Sequence, residues 1–270
     1  MRKFLALLSF LVFLAPYYAS SADAAVNLQG KVDTSNLAKG IVGVKYTSTQ
    51  GKKVKVAVEK ENKIYYYDLP NNGTVNYFPL QMQNGTYKIS IYEQTKDNQY
   101  MPVQQTAVGL QMKNQFQMYK QSTQNVNWNA TMLPIKKAHD LTYKLKTDEA
   151  KVMAIYGYIT KNVKYDYVKL KNVKSGYLPN VVTTYKTNKG ICYDYSSLFA
   201  AMLRSQGIPA KLVTGYSKNV KEFHAWNEVY IQELKRWVII DTTIDASAIQ
   251  RHLKPSVFKP ASQYKKTNEY

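Results

Sequence analysis

The chain has 270 residues and carries 37 Lys and Arg against 18 Asp and Glu, a formal net charge of +19 at neutral pH. That length holds two domains or one large one, and a single cysteine, Cys192, excludes an internal disulfide. The lysines are scattered rather than blocked, which suits an anionic wall polymer or membrane surface, or a solvated surface with no dedicated partner; no recognition motif for nucleic acid is present, and the export signal described next argues against it.

Residues 1–24 read as a secretory signal peptide. Arg2 and Lys3 form the charged start, Phe4 to Leu14 an apolar run too short to span a bilayer, and Ala22-Asp23-Ala24 a small-x-small cleavage site. No cysteine follows that site, so no lipid anchor is suggested. Later apolar runs all fall short of about 20 residues, so the mature chain is expected to be secreted, extracellular or associated with the cell wall, with no transmembrane segment. Cleavage removes Arg2, Lys3 and Asp23, two cations and one anion, and so leaves +18 on the mature chain.

Residues 25–124 read as a β-sandwich domain. Lys53 to Val58 alternates charged and apolar residues, and Lys63 to Leu69 follows a Glu61-Asn62 turn. Val75 to Met82 and Thr86 to Tyr92 flank Asn84-Gly85, a two-residue hairpin signal. Short strands at this spacing suggest an immunoglobulin-like sandwich. No chemical constellation lies in it. Gln121 to Trp128 is polar and turn-rich, the best candidate for a linker, and residues 125–270 form the second domain. There Pro134 to Lys144 suggests a short helix. Thr147 caps a second helix whose first turn holds Asp148 and Glu149. Val152, Ile155, Tyr156, Ile159 and Val163 give it one apolar face. A basic connection, Lys164 to Gly176, and a short helix, Pro179 to Lys186, lead on to Cys192.

Lys189 to Thr243 organises the chain. Tyr193 to Gln206 has helical periodicity, and Gly207 and Pro209 stop it, so Cys192 lies at a helix N-terminus. Free N–H groups and the positive dipole end there favour a thiolate and could hold an oxyanion. Ala210 to Tyr216, His224 to Ile231 and Trp237 to Asp241 read as strands. Pairing the last two symmetrically about Gln232 and Glu233 sets His224 opposite Asp241 on one face. Asp241 would then fix the His224 tautomer and leave the other ring nitrogen for Cys192. His139 and His252 have no such setting and read as surface residues.

These residues resemble a family. GICYDYS, then RSQGIPAKLVTGY, HAWNEVY and WVIIDTT, is similar to the core of the bacterial transglutaminase-like superfamily, and DEAKVMAIYGYITKNVKYDY resembles the helix before that core. The resemblance implies a papain-like Cys–His–Asp triad with Cys192 as nucleophile, His224 as base and Asp241 as orienting acid. Two details depart from the common pattern: the loop between the His and Asp strands is slightly longer, and Thr242 stands where Pro often follows the Asp.

The expected fold is therefore α+β, an N-terminal immunoglobulin-like β-sandwich followed by a papain-like transglutaminase core. The expected function is thiol acyl chemistry on a protein or peptide substrate. Cys192 attacks a carboxamide or peptide carbonyl, and an amine or water then takes the acyl group, with transfer set slightly ahead of hydrolysis. Trp226, Trp237 and Tyr193 are candidates to shield the thioester, and Tyr185 and Asn188 are candidate oxyanion donors. The alternatives are a cysteine peptidase or amidase on wall peptides, and a non-catalytic wall-binding protein with a vestigial triad. No phosphate loop, metal-ligand cluster or EF-hand loop is visible, so no cofactor or metal is expected. After Asp241 the tail is polar and basic, with Phe258 and Tyr264 available to pin it.

Overall fold

The computed structural model describes residues 30–270, and the signal-peptide segment lies outside the described residues. Among the described residues the N-terminal unit contains seven strands: β1 (Gly30–Asp33), β2 (Ile41–Tyr46), β3 (Val54–Lys60), β4 (Lys63–Leu69), β5 (Asn76–Pro79), β6 (Gly85–Lys96) and β7 (Gln99–Leu110). They form two antiparallel sheets, ordered β1-β2-β5 and β4-β3-β6-β7. Alternation decides which residues go inside. Val54, Val56 and Val58 of β3 and Ile89 and Ile91 of β6 face Val42, Val44 and Phe78 of the other sheet in one buried cluster.

Asn84-Gly85 does not make a hairpin. The strand before it pairs with β2, and the strand after it pairs with β3, so the dipeptide sits where the chain crosses between sheets. Tertiary bonds outweigh the local turn preference here. The Tyr87 hydroxyl lies 2.6 Å from the carbonyl oxygens of both Leu80 and Gln83, and the Asn84 side chain accepts from Met112 N and donates to Met112 O.

Six helices and the remaining strands make the second unit: α1 (Leu133–Thr142), α2 (Asp148–Asn162), β8 (Lys164–Tyr165), α3 (Tyr167–Asn172), α4 (Val181–Thr187), β9 (Lys189–Gly190), α5 (Cys192–Ser205), β10 (Ala210–Ser217), β11 (Val220–Ile231), β12 (Arg236–Ile240), α6 (Thr242–Ile249), β13 (Phe258–Lys259) and β14 (Tyr264–Glu269). The main sheet is antiparallel, ordered β13-β12-β11-β10-β14. Helix α5 is its keel. Leu198, Phe199, Met202 and Leu203 are fully buried, each worth about 1.5–3 kcal/mol on transfer from water. Gly207, at φ 78°, ends the helix in the left-handed conformation a C-terminal cap requires. The tail is not featureless: α6 follows Asp241 directly, and β14 returns to pair with β10.

Residues 121–128 form a strap with a buried centre, 123–126, rather than an open linker. Thr123, Gln124, Asn125 and Val126 are all buried. Gln124 N donates to Tyr77 O, Asn125 Nδ2 donates to the Tyr193 hydroxyl at 2.6 Å, and Ser197 Oγ donates to Asn125 O. The polar residues that suggested a loop are thus used as bridges between the two units. Beside the strap, Trp237 packs edge-on to Phe116 and Tyr119, and Tyr270 packs edge-on to Tyr65 and Tyr67. Aromatic rings therefore seal the junction of the two cores.

Candidate active site

Cys192 opens α5. The residue three further on explains how the helix starts there: the buried Asp194 carboxylate accepts from Ile191 N at 2.9 Å, closing the first turn. The same carboxylate accepts from the Tyr177 hydroxyl at 2.5 Å and from Lys169 Nζ at 2.9 Å, so α3 and its following loop are tied to the start of the helix. The N–H groups of Cys192 and Tyr193 belong to the first turn, which has no intrahelical acceptors for them. They are the donors available to an oxyanion at the thiol. Among the described residues no hydrogen bond or ring contact joins Tyr185 or Asn188 to Cys192, His224 or Asp241. Tyr185 stacks on Tyr158, and Asn188, left-handed at the end of α4, gives its carbonyl to Lys164 N.

His224 and Asp241 meet, but not by the expected register. Strands β11 and β12 pair Ile231 with Arg236 and Asn227 with Ile240, around a four-residue turn in which Lys235 is left-handed at φ 50°. Continued one step, that register places Asp241 level with Trp226 rather than His224. The shift is two residues, so the side-chain face is preserved, where a shift of one would have separated the pair. His224 Nε2 lies 2.8 Å from Asp241 Oδ2, with both side chains buried. The Nδ1 edge is left for the Cys192 thiol, which raises the proton affinity of the ring as Asp241 does. Burial works against a charged imidazole here. The Asp241 carboxylate and Cys192 outweigh it and raise the His224 pKa to about 10.

Asp241 is doubly held. Its Oδ1 caps α6 by accepting from Ile244 N at 3.1 Å, and its Oδ2 also accepts from the Tyr264 hydroxyl at 3.0 Å. Tyr264 packs at a tilt against Trp226, whose ring stacks at 24° to the His224 ring. Only the suggestion that Tyr264 pins the tail pointed toward this; nothing in the sequence near Tyr264 signals a triad contact. Asp194 carried a local signal, a carboxylate at the third helical position.

A cleft of about 240 Å³ opens at His224, lined also by Tyr165, Tyr167, Asn219, Thr243, Ser247 and Arg251. Larger clefts, of about 610 Å³, lie on the N-terminal unit, but none has a comparable set of reactive groups. Chemistry rather than size identifies the site. His139 and His252 are exposed and take no part.

Residues 135–242 match the family model of the transglutaminase-like superfamily. This stretch belongs to that superfamily. The transglutaminase-like segment also matches curated relatives. The kyphoscoliosis peptidase of Homo sapiens is 34% identical over 116 residues, covering 38% of this chain and 17% of the relative. The peptide-N(4)-(N-acetyl-beta-glucosaminyl)asparagine amidase of Eremothecium gossypii is 44% identical over 57 residues, covering 21% and 15%. The chain thus spans less than a third of the length of the curated relatives it matches. Among solved structures, a cysteine protease candidate from Cytophaga hutchinsonii is 28% identical, with a TM-score of 0.39 over 46% of this chain and 40% of that one.

Proposed function

We propose that the chain is a thiol-dependent hydrolase of amide bonds, a peptidase or amidase that works through a Cys192 thioester. The observation that carries this reading is the buried His224–Asp241 pair, 2.8 Å apart, whose ring lines a cleft and interacts with Cys192 at the start of α5. In the proposed cycle Cys192 Sγ bonds to the substrate carbonyl carbon, and the oxygen takes the charge toward the first N–H groups of α5. The C–N bond then breaks as His224 gives its proton to the leaving nitrogen. Water adds to the thioester, His224 takes the water's proton, and the C–S bond breaks to release the acid and free the Cys192 sulfur.

Two considerations favour water over an amine as acceptor, reversing the slight preference drawn from sequence. Crosslinking requires a shielded thioester, yet Trp237 and Tyr193 are committed to the junction and the strap, and Trp226 is buried beneath His224. Over the shared segment, moreover, two relatives are named as a peptidase and an amidase. The test offers a glutamine-containing protein together with a labelled primary amine. Ammonia or new peptide ends without label, lost in Cys192→Ala, support hydrolysis. Label incorporation that is lost in Cys192→Ala would establish transfer instead. No signal and no thiol alkylation would leave a binding protein with a vestigial triad.

The setting is part of the same proposal. The pattern of residues 1–24 supports export, and the positive charge supports retention on anionic wall polymers. The strand order β1-β2-β5 against β4-β3-β6-β7, with the Tyr87 hydroxyl on backbone carbonyls at the sheet crossing, supports an immunoglobulin-like N-terminal unit. The two buried clusters support a division near residue 125.

A further inference from the structure

We propose that the cleft beside His224 binds a carboxylate on the leaving-group side of the scissile bond, with Arg251 as the residue that selects it. This inference rests on the thiol-hydrolase reading and specifies its substrate. His224 must hand its proton to the leaving nitrogen, so the part of the substrate that departs lies on the His224 side of the thiol. The cleft on that side is lined by His224 and therefore receives the leaving group.

The lining has one sign of charge. Arg251 is exposed, and its Nε donates to Ser247 O at 3.1 Å, which fixes the guanidinium along α6. No carboxylate lies within ion-pair distance of it among the described residues, and no Asp or Glu lines the cleft. The nearby acids are engaged or lie outside the lining: Asp166 caps α3 by accepting from Lys169 N, and Asp245 on α6 accepts from the Tyr156 hydroxyl and pairs with Lys259. Asp194 is paired with Lys169 and hydrogen-bonded to Tyr177, Asp241 is held by His224 and Tyr264, and Glu222 is exposed outside the lining. With Nε on Ser247 O, the two terminal nitrogens of Arg251 remain for a carboxylate, which they can bind through two parallel hydrogen bonds.

The walls set the size. Tyr165 and Tyr167 meet edge to face at 5.0 Å, and Tyr167 is two-thirds exposed, giving one side of the cleft an aromatic surface. At about 240 Å³ the space falls below the range of about 300–1,000 Å³ usual for drug-sized ligands, so it accommodates one residue rather than an extended chain. An acidic residue, or a free terminal carboxylate, immediately after the scissile bond fits both the charge and the volume. A lysine in that position would meet Arg251 with like charge.

The experiment compares Cys192 alkylation by iodoacetate and by iodoacetamide in the wild type, Arg251→Gln and Arg251→Glu. The two reagents differ chiefly in charge, and the contribution of His224 is common to all three proteins. The ratio of iodoacetate to iodoacetamide rates is expected to fall about threefold to tenfold in Arg251→Gln and further in Arg251→Glu, with the iodoacetamide rate unchanged, the size expected for loss of one nearby charge in a partly solvated cleft. A second measurement uses peptides that differ only in the residue after the scissile bond. Glu is expected to give a lower KM than Gln or Lys in the wild type, and Arg251→Glu is expected to reverse the order of Glu and Lys. A rate ratio and a KM order unchanged by either substitution would overturn the carboxylate site while leaving the thiol hydrolase standing. A Cys192 inert to both reagents would overturn both.

Discussion

Asp241 and Tyr264 share a 3.0 Å hydrogen bond on the same carboxylate oxygen that takes His224 Nε2. The triad as read from sequence is therefore extended by a fourth side chain, which lies on the edge strand of the main sheet. Tyr264 touches no reacting atom in this arrangement; it is a positioning residue that limits the rotation of Asp241. Tyr264→Phe keeps the ring packed on Trp226 and removes only the hydroxyl. It should cost about 1 kcal/mol of orientation, or roughly a fivefold loss in kcat, with KM unchanged. A loss confined to KM, or to thermal stability, would reduce Tyr264 to a structural role.

The imidazole of His224 should titrate far from its usual range. Its pKa, raised to about 10 by Asp241 and Cys192 against the effect of burial, keeps it protonated through neutral pH. An NMR titration of the ring should therefore show a midpoint near 10. In Cys192→Ala one of the groups holding the proton is gone, and the midpoint should fall. A midpoint that does not move in that variant would separate the thiol from the ring.

Glu269 offers a stability test at acid pH. Burial raises its pKa, but Lys211, Lys266 and the Tyr119 hydroxyl outweigh burial, and the folded value lies below the usual 4.5. A lowered carboxylate pKa stabilises the fold at pH above the unfolded value, and that contribution is lost as pH falls through the folded one. Glu269→Gln should thus lower the denaturant midpoint at pH 7. The gap to the wild type should close as the pH drops below about 4.5. A gap that persists at low pH would show that packing, rather than the charge, holds β14 in place.

Brief digestion with a broad-specificity protease should spare the strap. Residues 123–126 are buried and bonded to both units, whereas 171–175 and 251–254 are exposed. The first cuts are expected in those two stretches. Early cleavage between 121 and 128 would show that the strap opens in solution.

What was legible in the sequence was local. Cys192 could be placed because a helix start, a helical period and a Gly–Pro stop are all written within a few residues of it. The face shared by His224 and Asp241 was legible for the same reason, since a period of two survives a register error of two. The register itself was not, because it depends on a left-handed Lys235 that no glycine or asparagine announces. The Asn84-Gly85 hairpin was wrong because pairing with distant strands outweighed the turn. Strand β14 escaped notice because it is an edge strand, YKKTNE, whose lysines discourage further pairing and erase the alternation that marks a strand. The strap was misjudged because polar residues satisfied by distant partners look, in sequence, the same as polar residues satisfied by water.

The position of Tyr264 gives the order of synthesis a chemical meaning. A nascent chain that has emerged only as far as residue 260 already holds Cys192, His224 and Asp241, and can bury α5 against β10 and β11. It lacks the edge strand that brings the phenol to Asp241 and, through Glu269, closes against Tyr119. The nucleophile is thus made early and its orienting acid is steadied late. On the proposed reading as an amide-bond hydrolase, such late arming would keep full reactivity out of the interval in which its own unfolded backbone is within reach.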